Sequence, residues 1–163
     1  MSLYYVYPLY TSTLAIVLYL LVPQRFIRSL LIYGIIFGAT IDFVTIIIVT
    51  LVLGFGGYVN YGPFGFMSIP FFPLFAWSCY FILYLYFLPP KPFVYIYPII
   101  AAAYSTLFSN VLQNIGIFKW NYGRILIPFT IYVIWHLTVT CVYIRIRPND
   151  NINSRLKFKR IHH

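Results

Sequence analysis

The stretch FGATIDFVTII, residues 37 to 47, decides the fold, because it places an acid, Asp42, inside an apolar run. The run extends from residue 30 to residue 53 and holds no other charged residue. About 20 consecutive apolar residues form a helix that can cross the hydrocarbon core of a bilayer. An acid in such a helix costs roughly 2.5 to 3.5 kcal/mol on insertion scales, so its side chain is expected to face the protein interior. The stretch predicts a membrane-spanning helix packed against other helices.

The composition of the whole chain agrees with this interpretation. Apolar residues make up 62% of the 163 residues and charged residues 8%, against about 25% charged in soluble proteins. The formal net charge of +9 comes from short basic clusters beside apolar runs. That pattern is typical of topology signals and of contact with anionic lipid headgroups, so we do not expect a nucleic-acid partner.

Breaks between the apolar runs predict an all-α polytopic membrane protein, a bundle of five transmembrane helices. The predicted spans are 3–22, 30–53, 67–88, 93–117 and 125–144. They form one domain, 1–147, followed by a basic tail, 148–163. No basic segment precedes the first span, so we expect no removable signal peptide.

Lysine and arginine residues divide unevenly between alternate loops, with two on one side and nine on the other. The two are Lys119 and Arg124. The nine are Arg25, Arg28, Lys91, Arg145, Arg147, Arg155, Lys157, Lys159 and Arg160. By the positive-inside rule, the amino terminus is outside and the carboxyl terminus is cytoplasmic, in a multi-pass protein of the cell membrane.

Small residues share the predicted helix face of Asp42. Gly34 and Gly38 precede it by eight and four residues, and Thr45 follows it by three, which predicts close helix packing through the two glycines. Two interpretations of the acid stay open. It is either a site for a proton, a cation or a polar substrate, or a carboxyl group that hydrogen-bonds across a helix interface.

Span four carries a second polar face, in which Ala102, Thr106, Asn110 and Asn114 recur every four residues beside Gln113. Unsatisfied amides are costly in hydrocarbon, so this face should meet other helices or a wet cavity.

His136 is the remaining titratable group in a span, and helix geometry allows it to contact Asp42. No second histidine or cysteine stands at a spacing typical of metal or haem binding, so we predict no metal and no cofactor. The candidate intramembrane polar site comprises Asp42, Thr45, Asn110, Gln113, Asn114 and His136.

No catalytic constellation is recognisable in the sequence. The only acids are Asp42 and Asp150, and the glycine cluster at residues 54–57 ends a span instead of opening a helix, unlike a phosphate-binding loop. We therefore expect no enzyme, and a membrane-embedded lipid-modifying enzyme is disfavoured by the shortage of acids.

The basic tail predicts a contact with anionic headgroups at the cytoplasmic face, and its alternative role is that of a topology anchor. The residues concerned are Arg155, Lys157, Lys159 and Arg160.

Several short motifs cover most of the chain: VPQRFIR, the acid in FGATIDF, YVNYGPFG, FLPP, YP in span four, and IGIFKWNYG. In their order the chain resembles a family of small multi-pass membrane proteins of unknown function from spore-forming Gram-positive bacteria. Gln113 and Asn114 stand where the resemblance leads us to expect an acid. The resemblance implies a bacterial host and a topology.

Together these features predict a non-enzymatic accessory or structural component of a bacterial plasma membrane or envelope. Such a component should have a membrane-protein partner or form a homo-oligomer. The alternative is a small transporter or an ion or proton pathway in which Asp42 titrates.

Overall fold

The computed structural model describes residues 2–67, 69–90 and 92–147, which form five long helices and four short strands. The helices are α1 (Val6–Leu21), α2 (Gln24–Val52), α3 (Phe71–Tyr86), α4 (Tyr97–Ile115) and α5 (Leu126–Ile146). The strands are β1 (Gly56–Tyr58), β2 (Gly65–Phe66), β3 (Ile69–Pro70) and β4 (Phe118–Trp120). Single 3-10 turns lie at Leu3–Tyr5, Gly62–Phe64 and Phe93–Tyr95.

The prediction of an all-α fold is confirmed. Four helical stretches are long and apolar enough to cross a membrane: Leu3–Leu21, Gln24–Val52, Phe93–Ile115 and Leu126–Ile146. Helix α3 is also apolar but has 16 residues, a length of about 24 Å. The tail residues Arg155, Lys157, Lys159 and Arg160, together with Lys91, lie outside the described residues.

Helix α2 begins at Gln24, six residues before the predicted start of span two. Pro23 occupies the position before its first turn, which it fits because a proline there costs no backbone hydrogen bond. The turn itself carries Arg25 and Arg28, both exposed. Arginine stems can cover apolar surface while the charge stays in water, so this polar turn continues the apolar helix.

Successive helices run in opposite directions, as contacts at the two ends of the bundle show. At one end, the Tyr7 hydroxyl oxygen of α1 lies 2.6 Å from each of two carbonyl oxygens, those of Val59 and Ile117, which follow α2 and α4, and its one O–H donates to them. At the other end, Arg147 after α5 donates to the Ser29 hydroxyl of α2 at 3.1 Å. We call the first end the ribbon end and the second the arginine end.

Helix α3 lies at the centre of the bundle. Its buried residues include Ala76, Phe81 and Leu85, and it packs against α1 and α2. Hydrogen bonds tie it to α5, because the hydroxyl groups of Tyr84 and Thr140 lie 2.6 Å apart.

The two glycines of α2 lie directly against α3. A Cβ atom added to Gly38 would lie 2.5 Å from the carbonyl carbon of Trp77, and one added to Gly34 would lie 2.5 Å from Ile82 Cγ1. The structure therefore places the small-residue face of α2 directly on α3, as in small-xxx-small packing.

Strands β1 and β4 form an antiparallel ribbon between the loops after α2 and α4, with Gly57 opposite Lys119. Strand β1 contacts the end of α2, and strand β4 contacts α4. The second strand pair, β2 and β3, lies in the segment between α2 and α3 and ends directly before α3 begins.

Candidate functional site

Asp42 lies in α2 between two π-helical segments, Ile35–Thr40 and Ile46–Val52. Only 4% of its surface is exposed. π-Helical turns are rare and frequently lie at functional sites. One such segment precedes the buried acid and one follows it, which makes this part of α2 a candidate functional site.

The Oδ2 atom of Asp42 has no hydrogen-bond partner, and it is the one buried side-chain oxygen or nitrogen in the described part of the chain of which this is true. Asp42 lines a cavity of about 30 Å³, which is enough space for one water molecule. Thr45 and Thr50 of the same helix also line this cavity.

The β1–β4 ribbon covers the Asp42 cavity, because Gly56, Gly57, Phe118 and Trp120 all line it. Glycine is required at residue 56, where φ is +153° and an added Cβ would overlap the backbone oxygen of Lys119. The close approach of this backbone leaves the cavity small.

A much larger cleft, of about 560 Å³, lies between α1, α3 and α4 in the half of the bundle next to the ribbon. Its walls include Leu9 and Leu14 of α1, Pro73 and Ala76 of α3, and Phe108 and Leu112 of α4. Ligand cavities typically have volumes of roughly 300 to 1,000 Å³ and mostly apolar walls.

Four aromatic side chains line both the cleft and the Asp42 cavity, and we call them the aromatic partition: Tyr58, Trp77, Phe118 and Tyr132. Within it, Trp77 Nε1 donates to the Tyr58 hydroxyl at 3.0 Å. Burial raises the pKa of Tyr58 well above its usual range, and the Asp42 carboxylate raises it further. The partition therefore separates the two cavities while lying within the electrostatic reach of Asp42.

The cleft opens sideways, between the outward faces of α1 and α4. Leu9 and Tyr104, which stand on its two sides, are 60% and 69% exposed. Thr13, Ser105 and Ser109 add hydroxyl groups to the walls. Among the described residues that line the cleft, none carries a charged side chain.

His136 is fully buried, and its ring is hydrogen-bonded to Tyr80 of α3 and to Tyr132 of its own helix, not to Asp42. Its Nδ1 lies 2.7 Å from the carbonyl oxygen of Tyr132 and its Nε2 lies 2.9 Å from the Tyr80 hydroxyl. A carbonyl oxygen only accepts, so Nδ1 carries the proton and Nε2 accepts from Tyr80. Both ring nitrogens are thus used within the helix bundle.

The amides of α4 hold the segment between α4 and α5. Asn110 donates to the backbone oxygen of Arg124 at 2.7 Å, Gln113 accepts from the backbone N–H of Trp120 at 3.3 Å, and Asn114 accepts from Arg124 Nη1 at 3.3 Å. Of the six residues in the sequence-derived site, only Asp42 and Thr45 line the Asp42 cavity.

The aromatic partition and the cleft were missed by sequence reasoning. With aromatic residues at 22% of the chain, no pattern distinguishes Trp77 or Tyr132 from the others. Within residues 2–67, 69–90 and 92–147, no group of three His, Cys, Asp or Glu side chains could share a metal ion.

Comparisons with protein-family models, with curated proteins and with solved structures find no match to this chain.

Proposed function

We propose that the chain is a five-span integral membrane protein of a bacterial cell membrane, with its amino terminus outside and its carboxyl terminus in the cytoplasm. The alternating direction of the helices supports five crossings, with α3 extended by apolar residues at both ends. The outward faces of the helices are apolar, as hydrocarbon requires. Among the described basic residues, four lie at the arginine end and two at the ribbon end: Arg25, Arg28, Arg145 and Arg147 against Lys119 and Arg124.

This orientation is tested by labelling single cysteines with a membrane-impermeant maleimide in right-side-out vesicles, in a background that lacks Cys79 and Cys141. Tyr122→Cys at the ribbon end should react without permeabilisation, and Gln24→Cys at the arginine end should react only after it. The reverse result, or equal labelling of both, would contradict the orientation.

The function that the geometry supports best is that of a non-enzymatic accessory or structural component that binds an apolar ligand from the bilayer. The observation that carries this proposal is the 560 Å³ cleft, which is apolar and opens toward the side that lipid would occupy. On the resemblance to small membrane proteins of spore-forming bacteria, we propose that this component belongs to the cell or spore envelope.

Ligand binding is tested with octanol, a neutral apolar probe, added to the purified protein in nanodiscs. Leu9→Trp fills the rim of the cleft, whereas Ile16→Trp adds the same bulk to a residue of α1 that is 59% exposed and does not line the cleft. Saturable binding that Leu9→Trp removes and Ile16→Trp preserves is the expected result. Binding that is equal in both variants, or absent in the wild type, would contradict the proposal.

The accessory role has its own test. Purification in a mild detergent should yield a second protein or a homo-oligomer, measured by light scattering and mass spectrometry. A monomer that carries no other protein would contradict an accessory role without affecting the cleft.

A second candidate function is a proton or cation pathway through Asp42, favoured by its unpartnered Oδ2 beside a water-sized cavity. Proteoliposomes with a pH-sensitive dye test it. Flux that Asp42→Asn abolishes and Thr45→Val preserves would support the pathway, and flux unchanged in Asp42→Asn would exclude Asp42 from it.

A further inference from the structure

The cleft and the Asp42 cavity lie on the two sides of the aromatic partition, and among the described residues the buried acid has no positively charged neighbour in the lining of either cavity. Asp42 is buried, its Oδ2 lacks a partner, and no described lysine or arginine lines either cavity. A buried carboxylate without a cation carries a large desolvation cost, which a cationic partner would offset.

The aromatic partition offers a surface suited to a cation on the cleft side. Tryptophan and tyrosine rings attract cations through their electron-rich faces, most strongly where water is excluded. The Tyr58 hydroxyl accepts one hydrogen bond from Trp77 and retains a second lone pair for an N–H donor. A small ammonium group against the partition would therefore lie beside aromatic side chains and a hydroxyl acceptor, with the carboxyl group of Asp42 on the other side of the partition.

The rest of the cleft fits an alkyl chain. Its walls are apolar, its volume exceeds that of the Asp42 cavity nearly twentyfold, and it is open between α1 and α4 to the region from which a chain would enter. An anionic amphiphile such as a fatty acid would instead bring a second negative charge toward Asp42.

We propose that the ligand of the cleft is a lipophilic amine, with its chain between α1 and α4 and its ammonium group against the aromatic partition on the side facing Asp42. This inference rests on the proposed function of the cleft as an apolar-ligand site, and it names the class of ligand. The ammonium group binds without any covalent step.

Intrinsic fluorescence reports directly on this site, because all three tryptophans of the chain, Trp77, Trp120 and Trp135, line the Asp42 cavity. The experiment titrates octylamine, octanol and octanoate into the full chain in phosphatidylcholine nanodiscs. Octylamine is protonated at neutral pH, as a lysine side chain is. We expect it to bind at least tenfold more tightly than octanol, a difference of about 1.4 kcal/mol, and octanoate to bind most weakly.

Two variants of α2 test whether the preference for the amine depends on the charge of Asp42. Asp42→Asn should reduce the octylamine-to-octanol ratio to about one while octanol still binds. Thr40→Val removes a hydroxyl group from an exposed position of the same helix that lines neither cavity, and it should leave the ratio unchanged. An equal affinity for both probes in the wild type, or a preference that survives Asp42→Asn, would overturn the amine proposal.

The outcomes also distinguish failure of the amine proposal from failure of the proposal that the cleft binds an apolar ligand. Octanol binding without a preference for octylamine refutes only the amine, whereas failure of both probes to bind refutes the cleft as a ligand site. Nanodiscs containing phosphatidylethanolamine identify the source of the amine. If phosphatidylethanolamine competes with octylamine, the natural ligand is a lipid with an amine headgroup. If octylamine binding is unchanged, the natural ligand is a free amine. Both results support an ammonium group in the cleft.

Discussion

Replacing Gly38 by alanine should destabilise the protein, although alanine is the better helix former. In an open helix this change would gain about 1 kcal/mol. Here the new Cβ would lie 2.5 Å from the carbonyl carbon and oxygen of Trp77 and 2.6 Å from the Ser78 nitrogen. Carbon atoms pack best at about 3.5 to 4.0 Å, so α2 and α3 would have to separate by about 1 Å.

The cost of that separation exceeds the gain in helix propensity, because the obstacle is backbone. Helix α3 is enclosed by α1, α2 and α5, so it cannot retreat as a side chain would. Overpacking of a well-packed interior costs about 1 to 3 kcal/mol, and a rigid obstacle belongs at the upper end of that range. After the gain of about 1 kcal/mol in propensity, we expect a net loss of about 2 kcal/mol.

Gly34→Ala provides the internal comparison. The nearest atom to its added Cβ is Ile82 Cγ1, which can move by rotation of the side chain, although the Ser78 oxygen lies at 2.9 Å. We expect a loss of about 1 kcal/mol or less. Ala103→Gly, on an exposed position of α4, tests propensity alone and should cost about 1 kcal/mol.

The measurement is unfolding in mixed micelles by titration with dodecyl sulfate, followed by tryptophan fluorescence. Trp77 lies at the glycine contact, so its emission should also change in the folded state of Gly38→Ala. A Gly38→Ala protein as stable as the wild type, or no less stable than Gly34→Ala, would refute the packing of α2 on the α3 backbone.

Three further changes test other contacts. Tyr7→Phe removes the hydroxyl that bonds two backbone carbonyls at the ribbon end, and should cost about 1 to 2 kcal/mol and speed amide exchange in the ribbon, measured by mass spectrometry. Trp135→Phe removes an N–H that donates to the Phe37 oxygen at 2.9 Å. The lost hydrogen bond alone should lower the free energy of unfolding by about 0.6 kcal/mol in the same unfolding titration. An unchanged midpoint would show that this bond does not stabilise the protein. Asn110→Leu removes the bond to the Arg124 oxygen and should increase proteolysis between α4 and α5 without lowering octanol binding, whereas an unchanged cleavage rate would contradict its role.

The helices could be predicted from the sequence because each apolar run has a length typical of a membrane-spanning helix and ends at prolines, glycines or charged residues. The β1–β4 ribbon could not, since GGY and FKW are too short to show strand alternation and are separated by a pair of helices. The glycine contact was predicted from GIIFG, because only small residues let two helix backbones approach so closely. The identity of the helix that packs on these glycines, α3, was not predicted, since every other helix is apolar enough to pack there.

The π-helical segments could not be predicted from the sequence either. In a helix that is apolar on nearly all sides, hydrophobic periodicity carries no information about a change from i+4 to i+5 hydrogen bonding. Each such segment shifts the side chains that follow it relative to an α-helix. The sequence therefore does not predict which way the side chains of α2 between Asp42 and Thr50 point.

The hydrogen bonds separate the polar residues of the apolar helices into two groups that the sequence could not tell apart. Asn110, Gln113 and Asn114 have partners in the segment before α5, which is what structural hydrogen bonding between helices predicts. Asp42 differs, because an acid that served only to hold an interface would find a donor across it, and its buried Oδ2 finds none. A buried oxygen without a donor costs about 1 to 3 kcal/mol. That cost favours a ligand, a proton or a cation as the missing partner of Asp42 over a role in helix packing.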